Sequence, residues 1–272
     1  MKYIVACLML SACSVHVDPL NGKPPNLNNR AGLNAAVQTN IDLSPAEIVS
    51  RAYLAAGGEL FQKPQSLFLS GYNLIRKGEE ETVWDKYAMW RVYASEKEDA
   101  HVANGKVRIE GWTGEEVQLL LSFDGKDTYN QDGKMESQSA NQMWSNSFGF
   151  GAIRHALDEG WKRNRMADRL IDGNSTFMIE LTDPSAKKTL FGIRQTDFAI
   201  VYVGFQTPRG WHERRYSNFF SNEKDNWKQA GRVRLFYDGV KSNEAIWTNF
   251  EVNKEYPDEL FQINSAPLAP DF

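Results

Sequence analysis

The sequence predicts a mainly β protein of the α+β class, a curved antiparallel half-barrel meander of roughly ten strands with an N-terminal helix and a mid-chain helical lid. Three observations predict it. After Ser66 most of the chain alternates apolar and polar residues with period two, cut by short turns. One amphipathic helix precedes the series, and one stretch with helical spacing interrupts it. Near the C-terminus, GRVRLFYDGVKSNEAIWTNFEVN alternates twice around Asp238-Gly239, which reads as a β-hairpin.

The first helix opens at Ser44-Pro45-Ala46-Glu47. Ser44 can accept from the Glu47 amide while the Glu47 carboxylate returns the bond, and proline suits the first helical position. Ile48, Val49, Ala52, Tyr53 and Ala56 form one apolar stripe, and Gly57-Gly58 ends the helix.

In the strands that follow, Leu67, Leu69 and Gly71 alternate with Phe68, Ser70 and Tyr72. Trp84–Tyr93 and Lys106–Trp112 read as the next two strands. Val117, Leu119, Leu121 and Phe123 share one face of a fourth, closed by Asp124-Gly125. Phe177, Ile179 and Leu181 mark a later strand ending at Asp183-Pro184, followed by Leu190–Arg194, Phe198–Phe205 and Trp211–Phe220. In the final hairpin Val233, Leu235 and Tyr237 face away from Arg232 and Arg234, and Ile246, Thr248, Phe250 and Val252 share a face of the second strand. Pro257–Phe261 then places Leu260 and Phe261 to pack back as a plug. Between the two runs of strands, Phe148–Arg163 puts Ile153, Ala156, Leu157 and Trp161 at helical spacing behind Asn146-Ser147 as caps. This is the lid.

A concave apolar sheet must be covered by helices, filled by side chains, or bound to something apolar. Leu119, Leu121, Phe123, Phe177, Ile179, Leu181, Leu235 and Phe250 are the expected inner residues, with Ile153, Leu157 and Trp161 on the lid. A fully packed core without a cavity is the alternative.

The N-terminus reads as an address. Lys2 and the apolar run Ile4–Leu10 form a signal peptide too short to span a bilayer. Leu10-Ser11-Ala12-Cys13 resembles the lipobox of bacterial lipoproteins, which implies cleavage before Cys13, acylation of its thiol, and membrane attachment there. Ser14 resembles an outer-membrane sorting signal facing the periplasm. Residues 15–42, rich in proline and asparagine, read as a flexible tether of roughly 30 residues spanning about 30 Å, with an ordered arm as the alternative. The expected organisation is a signal peptide at 1–12, the lipidated Cys13 and tether to 43, a folded domain at 44–263, and a tail at 264–272.

Cleavage leaves Cys13 as the only cysteine, so no disulfide and no thiolate nucleophile is expected, and the core alone must hold the domain. The formal charge of −4 falls to −5 once Lys2 is removed, and no basic stripe carries interleaved aromatics. Nucleic acid is therefore excluded as a partner. His16, His101, His155 and His212 lack metal-ligand spacing, and no catalytic serine motif or phosphate loop occurs, so neither metal nor cofactor is expected. The most enzyme-like stretch, Thr207–Arg215, sets His212 beside Glu213. Adjacent residues of a strand point to opposite faces, which argues against an acid–base pair. Trp84, Trp90 and Trp112 are candidates for sugar stacking or, in the preferred reading, for filling the core.

The order of elements and the ending YDGVK…W…FEVN…PDELF resemble the LolA/LolB-like lipoprotein-carrier superfamily across about Ser44 to Ile263. The resemblance implies a half-barrel whose mid-chain segment covers its mouth and whose interior takes a lipid or lipoprotein acyl chain, without enzymatic activity. It also implies an alternative, since other members are stress-sensing envelope regulators: an interaction module with a filled core and a protein partner.

Overall fold

In the computed structural model the described residues are 33–36, 42–94, 105–136, 141, 144, 149–222 and 224–262. The signal peptide, the lipobox with Cys13, most of the tether, the Asn146-Ser147 caps and the 264–272 tail lie outside them, as do His16 and His101. No helix among the described residues is long and apolar enough to cross a membrane.

The expected first helix is α1, Pro45–Ala56, and its capping box is present. Ser44 accepts from the Glu47 amide at 3.3 Å while the Glu47 carboxylate accepts from the Ser44 amide at 2.8 Å. Gly57 ends the helix at φ 139°, a conformation glycine adopts without a Cβ clash. Ile48, Val49, Ala52 and Tyr53 are buried as the stripe requires, and a single turn, α2 (Glu59–Gln62), adds buried Phe61.

All fourteen strands among the described residues join one antiparallel sheet. The first meander comprises β2 (Ser66–Lys77), β3 (Glu80–Val92), β4 (Lys106–Thr113), β5 (Glu116–Phe123), β6 (Thr128–Asn130) and β7 (Gly133–Lys134). The second comprises β8 (Lys162–Ile171), β9 (Asn174–Thr182), β10 (Lys188–Arg194), β11 (Ile200–Thr207), β12 (Gly210–Phe220), β13 (Gln229–Tyr237) and β14 (Val240–Val252). Within each meander every strand pairs with its chain neighbour, and β14 closes against β2, so the last strand of the second meander bonds the first of the first. The sheet is open, ending at β7 and at β1 (Leu33–Ala36), which pairs with β8. Residues 33–36 fall within the expected tether, yet they form an edge strand here. Their pairing satisfies backbone groups that β8 would otherwise present unpaired.

Four further expectations are corrected. The lid is not an α-helix: a 3-10 helix at Gly149–His155 is followed by turns, and β8 begins at Lys162. Glycines 149 and 151 and the turn near Gly160 (φ 81°) weigh against a long helix. Leu157 is consequently exposed (38%) rather than turned inward, whereas Ile153 and Trp161 are buried. In β14 the register shifts between Trp247 and Asn249, so Ala245, Trp247 and Phe250 are buried while Thr248 is exposed. Alternation alone cannot place such a bulge. Phe198 lies in the tight turn before β11, at φ 57°.

Two expectations hold at the sheet's outer face and turns. Asp238 and Gly239 both take positive φ, 47° and 83°, as a two-residue hairpin turn demands. Leu260 and Phe261 pack against Ala88 and Trp90 as the expected plug. Beneath that plug the buried Arg108 guanidinium donates to Glu110 (2.6 Å) and to the Leu260 carbonyl (2.7 Å).

Candidate functional site: the concave face of the sheet

Register brings the inward residues into rows, because directly opposed strand residues share a face. One row runs Phe250–Leu69–Met89–Ile109–Leu121 across β14, β2, β3, β4 and β5. The next is Trp247–Gly71–Tyr87–Gly111–Leu119, and a third is Val252–Leu67–Arg91–Val107–Phe123. Leu119, Leu121, Phe123 and Phe250 therefore lie on one continuous face, as expected from the sequence.

That face is divided. Under the second meander, α1, α2 and the 3-10 segment fill the curve. Phe177, Ile179, Leu181, Phe250, Ile153 and Trp161 join one buried cluster with Ile48, Val49, Tyr53 and Phe61. The Tyr53 hydroxyl donates to the Ile153 carbonyl at 2.5 Å, tying α1 to the 3-10 segment across the core. Under β4 and β5 a smaller cluster gathers Leu121 and Phe123 with Val107, Ile109 and Trp144. The Trp144 ring stacks on Phe123 (6.3 Å, 20°) and its indole N–H donates to Thr128 at 3.0 Å.

Between the clusters runs a strip that the described residues cover only in part: Tyr87 and Met89, which touch both, and Leu119 beside them. Tyr87 lies flat on Trp247, 5.0 Å between ring centres. Leu235 faces inward opposite Arg214 and Asn243 but belongs to neither cluster. The predicted ligand residues thus separate into a filled core and the wall beside a partly open strip. A shallow depression of about 410 Å³ over α1 and α2, lined by residues such as Ser50, Leu54 and Gln62, contains none of them.

The inward face also carries charge that pattern reading passed over. Arg91 follows Tyr87 and Met89 at the next inward position of β3, and its guanidinium donates to the Trp144 carbonyl at 3.3 Å. It stacks on Tyr93 at 4.9 Å, and Arg154 of the 3-10 segment stacks on the same ring at 5.0 Å. Arg154 also donates to the Phe61 carbonyl at 2.8 Å. Further along the sheet Arg214 donates to His212 Nε2 at 2.9 Å. Burial, followed by the charges of Arg154 and Arg214, pulls the Arg91 guanidinium below its ordinary range, with the Tyr93 hydroxyl opposing them. The alternation Tyr87, Met89, Arg91, Tyr93 was readable in the sequence; that Arg154 would reach the same ring was not.

His212 and Glu213 do face opposite sides. Glu213 is buried on the convex face with Arg215 (3.1 Å) and the Trp211 indole (3.1 Å). His212 packs between Phe205 and Tyr237 on the concave face. Burial first, then the positive charge of Arg214, lowers its pKa to about 2, so the imidazole is neutral at any physiological pH. Proton exchange between the two is geometrically excluded. Trp84, Trp90 and Trp112 are all buried, and a Cβ on Gly111 would come within 2.4 Å of the Trp84 ring. They fill the core. His155 pairs with Asp158 at 3.0 Å, and the described residues contain no cluster able to hold a metal ion.

The arrangement of the chain as a whole is similar to that of known structures. The chain has a TM-score of 0.51 and 13% identity to an outer membrane lipoprotein-sorting protein domain from Vibrio parahaemolyticus, over 80% of this chain and 96% of that one. The fold is the one seen in that lipoprotein-sorting domain. A LolA superfamily protein from Nitrosomonas europaea aligns with a TM-score of 0.48 and 13% identity over 81% of this chain and 98% of its own. No family model and no curated protein matches the sequence.

Proposed function

We propose that this protein is a non-enzymatic, lipid-anchored protein of the cell envelope that binds a hydrophobic ligand, a lipid or an acyl chain, on the concave face of its half-barrel. Acylated Cys13 attaches it to the membrane, most simply the outer membrane on its periplasmic side. The observation that carries the binding role is the Tyr87–Met89–Leu119 strip, apolar side chains left partly covered between two packed clusters. An apolar surface at the centre of a concave face is where a ligand gains most from leaving water. The packed residues Phe177, Ile179, Leu181, Phe250 and Ile153 act as the floor that holds the curve.

The test uses detergent-solubilised full-length protein and the neutral probe N-phenylnaphthylamine, whose fluorescence rises in apolar sites. Wild type should enhance the probe, and Leu119→Arg should abolish the enhancement while the circular dichroism spectrum is retained, because this position is partly solvated. Absence of enhancement in wild type would defeat the binding role. It would favour the second reading, an envelope interaction module, which the dense packing under α1 supports.

A further inference from the structure

We propose that the ligand is an anionic amphiphile whose acidic head is held by Arg91 and Arg154 at the end of the apolar strip. This rests on the hydrophobic-ligand reading above and specifies the ligand's other end. Along the inner face of β3, Tyr87, Met89 and Arg91 occupy successive inward positions, two apolar and then one cationic. Inward residues of a strand are about 7 Å apart, so a chain lying on Tyr87 and Met89 brings its end to the Arg91 guanidinium.

The second cation arrives from a different element. Arg154, on the 3-10 segment, brings its guanidinium to 5.0 Å from the centre of the Tyr93 ring that Arg91 approaches at 4.9 Å. Both are partly buried, and each donates to a neutral backbone carbonyl, Arg91 to Trp144 and Arg154 to Phe61. Neither has a carboxylate within salt-bridge distance among the described residues. The contrast with the outer face is sharp: there Arg215, Arg232 and Arg234 each meet Asp172, Glu213 or Glu244. In a chain of net charge −4, two arginines against one tyrosine ring, with no carboxylate at salt-bridge distance among the described residues, make a positive site suited to an incoming anion. Each guanidinium retains N–H groups beyond those its carbonyl takes, in the planar fork that suits a carboxylate or a phosphate. Burial first, and then the positive charges of Arg154 and Arg214, lowers the affinity of Arg91 for its proton, and an anion would offset the part that comes from charge.

The experiment is competition against N-phenylnaphthylamine on the full-length protein with three ligands of one chain: oleyl alcohol, oleate and oleyl phosphate. Wild type should be displaced by at least one of the two anions at a concentration at least tenfold lower than by the alcohol, and whichever is stronger identifies a carboxylate or a phosphate head. In Arg91→Met/Arg154→Met that preference should vanish while the alcohol still competes. The Lys/Lys double variant should keep part of the preference, which separates charge from folding. Equal competition by all three ligands on wild type overturns the anionic head and leaves the hydrophobic-ligand reading standing. No competition by any of them overturns both.

Discussion

The two halves of the concave face use the same residue types and reach different ends. Under β9 to β11 the inward residues are sealed: Phe177, Ile179, Phe191 and Ile193 are all fully buried beneath α1 and the 3-10 segment. Across β3 and β5, Tyr87, Met89 and Leu119 remain partly reachable, and the next inward residue is an arginine. The difference is in the cover, since α1 brings an apolar stripe to the first half only. Covered apolar surface becomes stability, and uncovered apolar surface becomes a place for something else to bind.

The largest effect should come from breaking the sealed half. Phe177→Ala is expected to cost about 3–5 kcal/mol, because the removed ring leaves a cavity in a fully packed cluster. Met89→Ala, in the partly open half, should cost about 1 kcal/mol or less, since its side chain is already partly solvated and no closed cavity forms. Urea midpoints of the two variants measure the contrast, and equal losses would show that the strip is as sealed as the core.

Acid should destabilise the fold through His212. The folded imidazole stays neutral to about pH 2, whereas an exposed one protonates near pH 6.5, so below that pH the unfolded chain binds an extra proton. Stability should therefore fall by up to about 1.4 kcal/mol per pH unit as pH drops from about 6 towards 4. His212→Gln, which keeps a neutral acceptor for Arg214, should flatten that slope, and an unchanged slope would place the acid sensitivity elsewhere.

Loosening the cover at its start is a smaller perturbation. Ser44→Ala should cost about 1 kcal/mol by removing the N-cap acceptor of α1 and its reciprocal bond with Glu47. A denaturant midpoint indistinguishable from wild type would show that the capping box contributes nothing to the sealed half. The smallest effect on either half is expected from Cys13→Ser, which should leave thermal unfolding unchanged while moving the protein from the membrane fraction to the soluble one. Unaltered membrane fractionation would remove Cys13 as the anchor.

Much of this architecture was legible. Local chemistry specified α1 in full: a serine cap, a proline, a returning glutamate, an apolar stripe and a glycine stop all act within a few residues of one another. The period-two runs placed β2, β4, β5, β9, β10, β12 and the last hairpin, because side chains that share a face of a strand recur at every second residue. β8 escaped notice since its inward positions are arginines. Arg163 and Arg165 lay their stems over the core and send their charge to the Ala156 carbonyl (2.5 Å) and to Asp168 (2.6 Å), with the Arg165 guanidinium 4.6 Å above Phe177.

The sequence by itself determined which residues alternate, where α1 begins and ends, and that a plug follows the final hairpin, all consequences of short-range sterics and hydrogen bonding. Only the tertiary structure decided which apolar residues are sealed and which stay reachable. That depends on where α1 and the 3-10 segment lie over the sheet, on the bulge that turns Trp247 inward, and on Arg91 and Arg154 reaching one tyrosine from positions far apart in the chain. Long-range packing of this kind leaves no periodic trace, because each partner's pattern is satisfied by any neighbour of suitable shape.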